Sequence, residues 1–269
     1  MTSPIKNIPL NVENVAQALQ QAGIEKGDVV CVHSFLGAFG LLKDGAQTVL
    51  DGFLSAIGET GTLIVPTYNY DFCQGTPYVH ETTPSQVGQF GDFCRKQKRF
   101  KRTLHPVYSH AVTGRAAEYF LENPSTNGFG QDSLFERFHK INGRLVGFGV
   151  DFNSLTFFHY LEDRLRVPYR FLKEFSGQVT ENGETRFYTA QIYSRYLELD
   201  PKPLFGLEHI QQKLLAKGVA KKSTLERGEI VAVLARDCYE ESVKEYREDP
   251  MCFLKQPVDL SQIPHEESR

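Results

Sequence analysis

The residues best placed to do chemistry in this chain of 269 are His159 and Glu162. Their i, i+3 spacing sets them on one face of a helix, within contact reach. A carboxylate at that distance fixes the tautomer of an imidazole and raises its pKa, which suits the ring to accept a proton. A solvated pair of the same spacing would contribute only about 0.2–0.5 kcal/mol. Phe157, Phe158 and Tyr160 shift the balance, because a helix this aromatic is mostly inside. A buried His–Glu pair is costly unless it is used or fully satisfied.

Two other stretches gather polar residues directly after apolar strands. In His33-Ser34-Phe35-Leu36-Gly37-Ala38-Phe39-Gly40 the small residues expose backbone N–H groups beside a strand end, where main-chain bonds can hold an extended polar ligand. The segment is neither GxxxxGK nor GxGxxG, and a loop that merely turns a corner is the plainer reading. In Thr103-Leu104-His105-Pro106-Val107-Tyr108-Ser109-His110, two histidines five apart lack a third ligand at any metal-binding spacing. Structural or ligand-contacting roles are expected for them, and no metal.

These residues need elements to position them. Asn11 caps an amphipathic helix that carries Val12, Val15 and Leu19 and stops near Gly23. Apolar runs at residues 28–33 and 61–66 read as buried strands, with an amphipathic helix over 45–57 between them and Gly58 as its terminator. That is a βαβ signal for a sheet covered on both faces. Thr83-Pro84-Ser85-Gln86 reads as a capping box opening a helix. Strands are expected at 107–113, 144–150 and 229–234, and a hairpin at 172–191 turns at Asn182-Gly183. Helices are expected at 156–166, ended by Pro168, and at 207–215 and 236–246. The fold class is therefore α/β: a single domain, a three-layer α/β/α sandwich on a mixed sheet.

Bulk properties exclude several functions. Apolar residues make up 41% and charged residues 23%, an ordinary globular balance. The net charge of -3 leaves no basic footprint for nucleic acid or an anionic membrane. No apolar run approaches the roughly 20 residues that span a bilayer, and no signal peptide is visible. Five scattered cysteines without a CxxC pair suit free thiols in a reducing cytoplasm.

In this order the stretches resemble the aminoglycoside 3-N-acetyltransferase family, whose fold is distinct from the commoner GNAT acetyltransferases. Residues 32–40 match its VHSSLSALG segment and 61–68 its GTLxxPTF segment. Residues 83–95 resemble TPSxxGxxxxxFR, 102–114 resemble RSxHPxxSxxxxG, and 129–134 resemble FGxxSPLxxL. Residues 155–162 look like the NTxxHxxE helix, with Leu155 where the family has Asn, and Asn153 nearby. The likeness covers about residues 10–165, so 1–165 would form the CoA-binding and catalytic part of one acyltransferase domain. Residues 166–269, a hairpin and helices, would help shape the acceptor site.

The resemblance implies an acyl-CoA-dependent N-acyltransferase that uses acetyl-CoA or another short acyl-CoA and no metal. Its partner would be a small-molecule amino sugar, with a homodimer as an option. His159 would take the amine proton, oriented by Glu162. CoA would run along His33, Ser34, Phe35 and Leu36, with Arg102 near its phosphates and Thr103 and Ser109 beside it. Backbone amides of residues 34–37, or the Ser109 hydroxyl, would hold the oxyanion. Thr67, Tyr68, Asn69, Tyr70 and Asp71 would line the acceptor side, with Glu208 as an acidic contact. Because residues 67–71 carry a single acid, a nucleotide-linked or surface-polysaccharide precursor sugar is expected, with an aminoglycoside and resistance as the alternative. Three rivals stay open: a serine hydrolase through Ser34 or Ser109, a cysteine acyl-enzyme through Cys31, and a non-catalytic binding module. The first lacks a GxSxG elbow.

Overall fold

In the computed structural model, which describes residues 8–122 and 124–263, the apolar runs become the strands of a seven-stranded sheet. In chain order the strands are β1 (Val29–Ser34), β2 (Thr62–Pro66), β3 (Tyr78–Val79), β4 (Lys101–Arg102), β5 (His110–Gly114), β6 (Arg144–Phe148), β7 (Arg170–Glu181), β8 (Glu184–Arg195), β9 (Lys221–Leu225) and β10 (Gly228–Leu234). The helices are α1 (Val12–Gln21), α2 (Ala46–Ile57), α3 (Gln89–Arg95), α4 (Ala117–Leu121), α5 (Leu134–Lys140), α6 (Phe157–Leu165), α7 (Glu208–Ala216) and α8 (Ala235–Glu248).

The large sheet runs β4-β5-β2-β1-β6-β10-β9, and a smaller one runs β3-β7-β8. β1 pairs in parallel with β2 on one side and β6 on the other, while β5 and β10 join antiparallel. The sheet is therefore mixed, and the carboxyl ends of β1, β2 and β6 open onto one edge. Strand order changes direction at β1, the position where an α/β sheet leaves a crevice for ligands.

Alternation along the strands feeds two cores. Val30, Val32, Leu63, Val65 and Phe148 pack with α1, α2 and α3. Cys31, Ile64, Val112 and Leu145 pack with α5, α6, α7 and α8 on the other face. Each fully buried Val, Leu or Phe contributes about 1.5–3 kcal/mol by leaving water, so both faces must be covered. This is the three-layer α/β/α sandwich that the sequence implies.

Local signals explain most boundaries. Asn11 and Asn14 exchange side-chain to backbone bonds at the start of α1. Asn182 (φ 53°) and Gly183 (φ 81°) give β7–β8 the two left-handed residues of a tight hairpin turn. The expected helix start at Thr83 is not formed; α3 begins at Gln89. The capping groups are used elsewhere, Thr83 Oγ1 accepting from Val79 N at 2.8 Å and Gln86 Oε1 from Tyr70 N at 2.7 Å. α4, α5 and β9 had no reading in the sequence. No described helix is long and apolar enough to cross a membrane.

Candidate active site

α6 follows β6 and presents its aromatic residues to the core: Phe157, Phe158 and Leu161 are fully buried. That orientation leaves His159 facing the crevice, its side chain 20% exposed, while Glu162 is completely buried behind it. The start of α6 is fixed by His33 at the end of β1. His33 Nε2 accepts from Thr156 N at 3.2 Å and lies 2.9 Å from Thr156 Oγ1. The imidazole of His159 stacks on Phe205 (ring centroids 4.9 Å apart, 22°) and meets the edge of Phe129 at 5.2 Å.

Glu162 is not alone with the histidine. Its Oε2 lies 3.1 Å from His159 Nδ1 and 2.6 Å from Arg170 Nη2, and Arg170 is itself buried. Arg170 Nη1 also donates to Tyr193 O at 2.7 Å. Burial pushes the Glu162 carboxyl up, but Arg170 and the His159 bond outweigh it and hold the carboxyl below the usual range. Burial, aided by the positive charge of Arg170, pulls His159 down to about 3. Glu162 does act to raise the histidine, as its spacing implies, but burial first and the Arg170 guanidinium second outweigh it. His159 is neutral at pH 7. Nδ1 has a carboxylate and, at 2.8 Å, Arg170 Nη2 as neighbours. The two contacts belong to different tautomers: Nδ1 either accepts from Arg170 or donates its N–H to Glu162, and the second leaves the Nε2 lone pair free, as a proton acceptor needs.

His159 lines two cavities. The first, about 330 Å³, is walled by Val32, His33, Ser34, Val65, Pro66, Tyr68, Tyr70, Val87, Gly88 and Gly91, with Val150, Ser154 and Thr156 completing it. Gly91 is required there, since a Cβ would sit 2.1 Å from Pro66 O. A hollow of about 440 Å³ adjoins it, sharing Val150 and Ser154 and carrying Arg227. The second cavity, about 300 Å³, lies on the other side of His159, where the β7–β8 hairpin supplies Arg170, Lys173, Tyr193 and Arg195.

Of the expected site residues, His33, Ser34, Tyr68, Tyr70 and His159 are brought together around the first cavity. Others are not. Arg102 is a structural staple: Nε donates to Ser109 Oγ (2.9 Å) and Thr67 Oγ1 (3.2 Å), Nη1 to Thr83 O (2.7 Å) and His80 O (3.1 Å), and Nη2 to Thr67 O (2.7 Å). A guanidinium so engaged is not available for CoA phosphates. Ser109 is fully buried, and its hydroxyl donates to Thr67 O, which removes it as an oxyanion donor. Thr103 Oγ1 accepts from His110 N and lies outside the cavity wall. Phe35 is 60% exposed, and its amide is taken by Phe148 O; of residues 34–37 only Ser34 lines a His159 cavity, so Leu36 and Gly37 are not brought to it.

In residues 67–71, Thr67 and Asn69 are buried and internally bonded, and Asp71 accepts from Gln86 Nε2 at 2.8 Å. Only the two tyrosines reach the cavity. Glu208 lines neither His159 cavity; it accepts from Asn153 Nδ2 at 2.9 Å, which ties α7 to the turn before α6. Asn153 therefore anchors Leu207 and Glu208, and Leu155 is a buried core residue. His105 Nδ1 accepts from Tyr108 N and His110 Nε2 meets the Tyr68 hydroxyl, so both are tied into the protein.

The rivals fare unequally. Burial pushes the Cys31 thiol far above its normal value, which makes it inert. Ser34 shares the first cavity with His159, yet no hydrogen bond joins them. Sequence reasoning missed Arg170, Lys173, Arg195 and Phe205. One signal was available: Arg170 lies twelve residues before Asn182 and Arg195 twelve after Gly183, so a two-residue turn pairs them.

A family model described as aminoglycoside 3-N-acetyltransferase matches residues 31–247, a span holding His159, Glu162 and the whole hairpin. The SPbeta prophage-derived aminoglycoside N(3')-acetyltransferase-like protein YokD of Bacillus subtilis (strain 168) is 25% identical over 215 residues, 71% of this chain and 76% of that protein. Aminoglycoside N(3)-acetyltransferase III of Salmonella sp is 26% identical over 203 residues, covering 66% and 70%. The type VII enzyme of Streptomyces paromomycinus is 24% identical over 256 residues, covering 85% and 88%. Among solved structures, AAC-IIIb with CoASH superposes with a TM-score of 0.79 at 18% identity, over 93% of this chain and 100% of that one. AAC-VIa bound to sisomicin gives 0.76 at 20%, over 90% and 98%. These establish likeness of fold.

Proposed function

This chain belongs to the aminoglycoside 3-N-acetyltransferase family, and from that premise we propose that it transfers an acetyl or other short acyl group from CoA to an amino group of an amino sugar. The observation that carries this reading is His159, standing between two cavities with a buried carboxylate behind it.

The first cavity suits a thioester arm: apolar walls from Val32, Val65, Pro66 and Val87 flank the carboxyl ends of β1 and β2. The adjoining hollow with Arg227 is the place for the nucleotide end, the role that Arg102 cannot fill. The acceptor enters from the hairpin side. Its unprotonated amine attacks the thioester carbon, and Nε2 of His159 takes the N–H proton as the C–N bond forms. The tetrahedral oxyanion is held by the Ser34 hydroxyl, at the end of β1 in the wall of the first cavity. Collapse breaks the C–S bond, and the protonated His159 returns its proton to the leaving thiolate. Atoms and charge balance: amide and CoA thiol leave, and His159 is neutral again.

Two observations bear on the sugar. The relatives' names, aminoglycoside N-acetyltransferases, support a free aminoglycoside. The cations around the second cavity support an amino sugar joined to a nucleotide. Release of CoA thiol with acetyl-CoA, followed across aminoglycosides and nucleotide-linked amino sugars, tests the reading. His159→Ala should cut turnover about 10²–10⁴-fold while leaving acetyl-CoA binding nearly unchanged. Wild-type rates in that variant, or covalent labelling of Ser34 by an activated ester, would overturn it.

A further inference from the structure

We propose that Arg195 and Lys173, with the charge of Arg170 behind them, form a binding site for an anionic group, a phosphate or carboxylate, that the acceptor amine itself carries. The inference rests on the acyl-transfer reading above and names the chemical class of its acceptor.

The register of the hairpin sets Arg170 directly opposite Arg195. Like charges facing each other across antiparallel strands are destabilising, and sheets normally avoid them. Both guanidiniums also crowd one ring: their Cζ atoms lie 5.9 Å and 4.3 Å from the centroid of Phe205, the ring that stacks on His159. Arg170 is matched by Glu162. Arg195 has no salt bridge and no side-chain hydrogen bond among the described residues: Glu162 acts on it only through its field, and the half-buried guanidinium lies over Phe205. Its Nε is buried without a hydrogen-bond partner, as is that of Arg170.

The acids nearby do not balance the cluster. Glu162 is already shared between Arg170 and His159, Glu174 accepts from Gln191, and Glu198 stands exposed at the edge of the cavity. Lys173 adds a third cation to the wall. A cavity of about 300 Å³ with the uncommitted guanidinium of Arg195 and the ammonium of Lys173 in its wall, opening beside the catalytic imidazole, is suited to an oxyanion, which a planar guanidinium binds with two parallel bonds. Arg170, engaged by Glu162 and Tyr193 O, adds only its charge. A polycationic acceptor would be repelled by the same groups.

An anion bound there also acts on the chemistry. The charge of Arg170 is one of the causes that depress His159. Partial neutralisation of the two arginines by the acceptor's own phosphate or carboxylate raises the histidine's basicity when the amine arrives.

The test compares glucosamine, glucosamine 6-phosphate, a nucleotide-linked amino sugar, an amino-uronic acid and a free aminoglycoside as acceptors of acetyl from acetyl-CoA, read as thiol release. Direct binding of glucosamine 6-phosphate is measured by calorimetry in parallel. Anionic acceptors should exceed glucosamine in kcat/KM by about 10- to 100-fold, the worth of one charge-assisted contact. In Arg195→Gln the ratio should collapse towards one, and Arg195→Lys should restore part of it. The two anionic monosaccharides separate phosphate from carboxylate as the preferred group. A ratio near one in the wild type, or a ratio unchanged in Arg195→Gln, overturns the site. Binding that Arg195→Gln abolishes, without transfer to any amine, would instead overturn the acyl-transfer reading and leave the anion site standing.

Discussion

Arg170 Nη2 lies 2.6 Å from Glu162 Oε2 and 2.8 Å from His159 Nδ1, so a cation, and not the carboxylate alone, sets the basicity of the imidazole. Removing that charge should raise the histidine's pKa. The acid limb of kcat/KM, which reports neutral His159 in the free enzyme, should move to higher pH in Arg170→Gln. Arg170→Lys should keep it near the wild-type position. An acid limb unmoved in the Gln variant would show that Arg170 does not tune His159.

His33 was expected to touch cofactor, and it does line the first cavity, but its Nε2 is committed to Thr156 at the start of α6. His33→Ala should therefore cost about 1–3 kcal/mol of stability by leaving that buried N–H unsatisfied. It should also lower kcat more than it raises KM for acetyl-CoA, since it displaces the helix that carries His159. Denaturant unfolding and steady-state kinetics read the two effects. A variant with a raised KM alone would return His33 to the role of a cofactor contact.

Arg102 joins Thr67, His80, Thr83 and Ser109 through its three nitrogens. Arg102→Met should destabilise the protein by about 3 kcal/mol, because buried carbonyls lose charged donors. KM for acetyl-CoA should then match that for dephospho-acetyl-CoA as closely as in the wild type. Selective loss of the phosphate preference in the variant would restore Arg102 as a phosphate ligand.

Acid should weaken the fold in a window set by its histidines. Burial lowers His33 and His159 to about 3 and His105 to about 4, against 6.5 in an exposed ring. Between pH 6.5 and 4 the unfolded chain binds more protons than the folded one, so stability falls as pH drops through that range and is fully present above it. A carboxylate such as Asp92, held at about 2, acts only at lower pH. The thermal midpoint should decline from pH 6.5 to 4; a flat profile would contradict the neutral, buried state of these rings.

The legible part of this structure is the part encoded locally. Continuous apolar runs gave β1 and β2, helical spacing gave α2, and Asn182-Gly183 gave the hairpin, because period and turn chemistry reside in neighbouring residues. The capping-box pattern at residues 83–86 misleads for the converse reason: Thr83 and Gln86 find partners at Val79 and Tyr70, one of them a distant loop residue. In the site, the i, i+3 spacing was enough to bring His159 to Glu162. Phe205 and Arg195 reach the same spot through a loop and a strand pairing 46 and 36 residues away along the chain, which spacing does not encode. The misassignment of Arg102 has a similar origin, because a sequence does not say which cations are already engaged.

Among the described residues, His159 is the single side chain common to the walls of the first and second cavities. A partition of that kind has a kinetic meaning. Each reactant has its own entrance, so neither must depart before the other arrives, and the working state is a ternary complex. Initial-rate plots should intersect, acyl exchange without acceptor should be absent, and no acylated protein should accumulate. The imidazole then stands where the two reactants meet, so that the amine bonds directly to the thioester carbon while His159 holds only the proton.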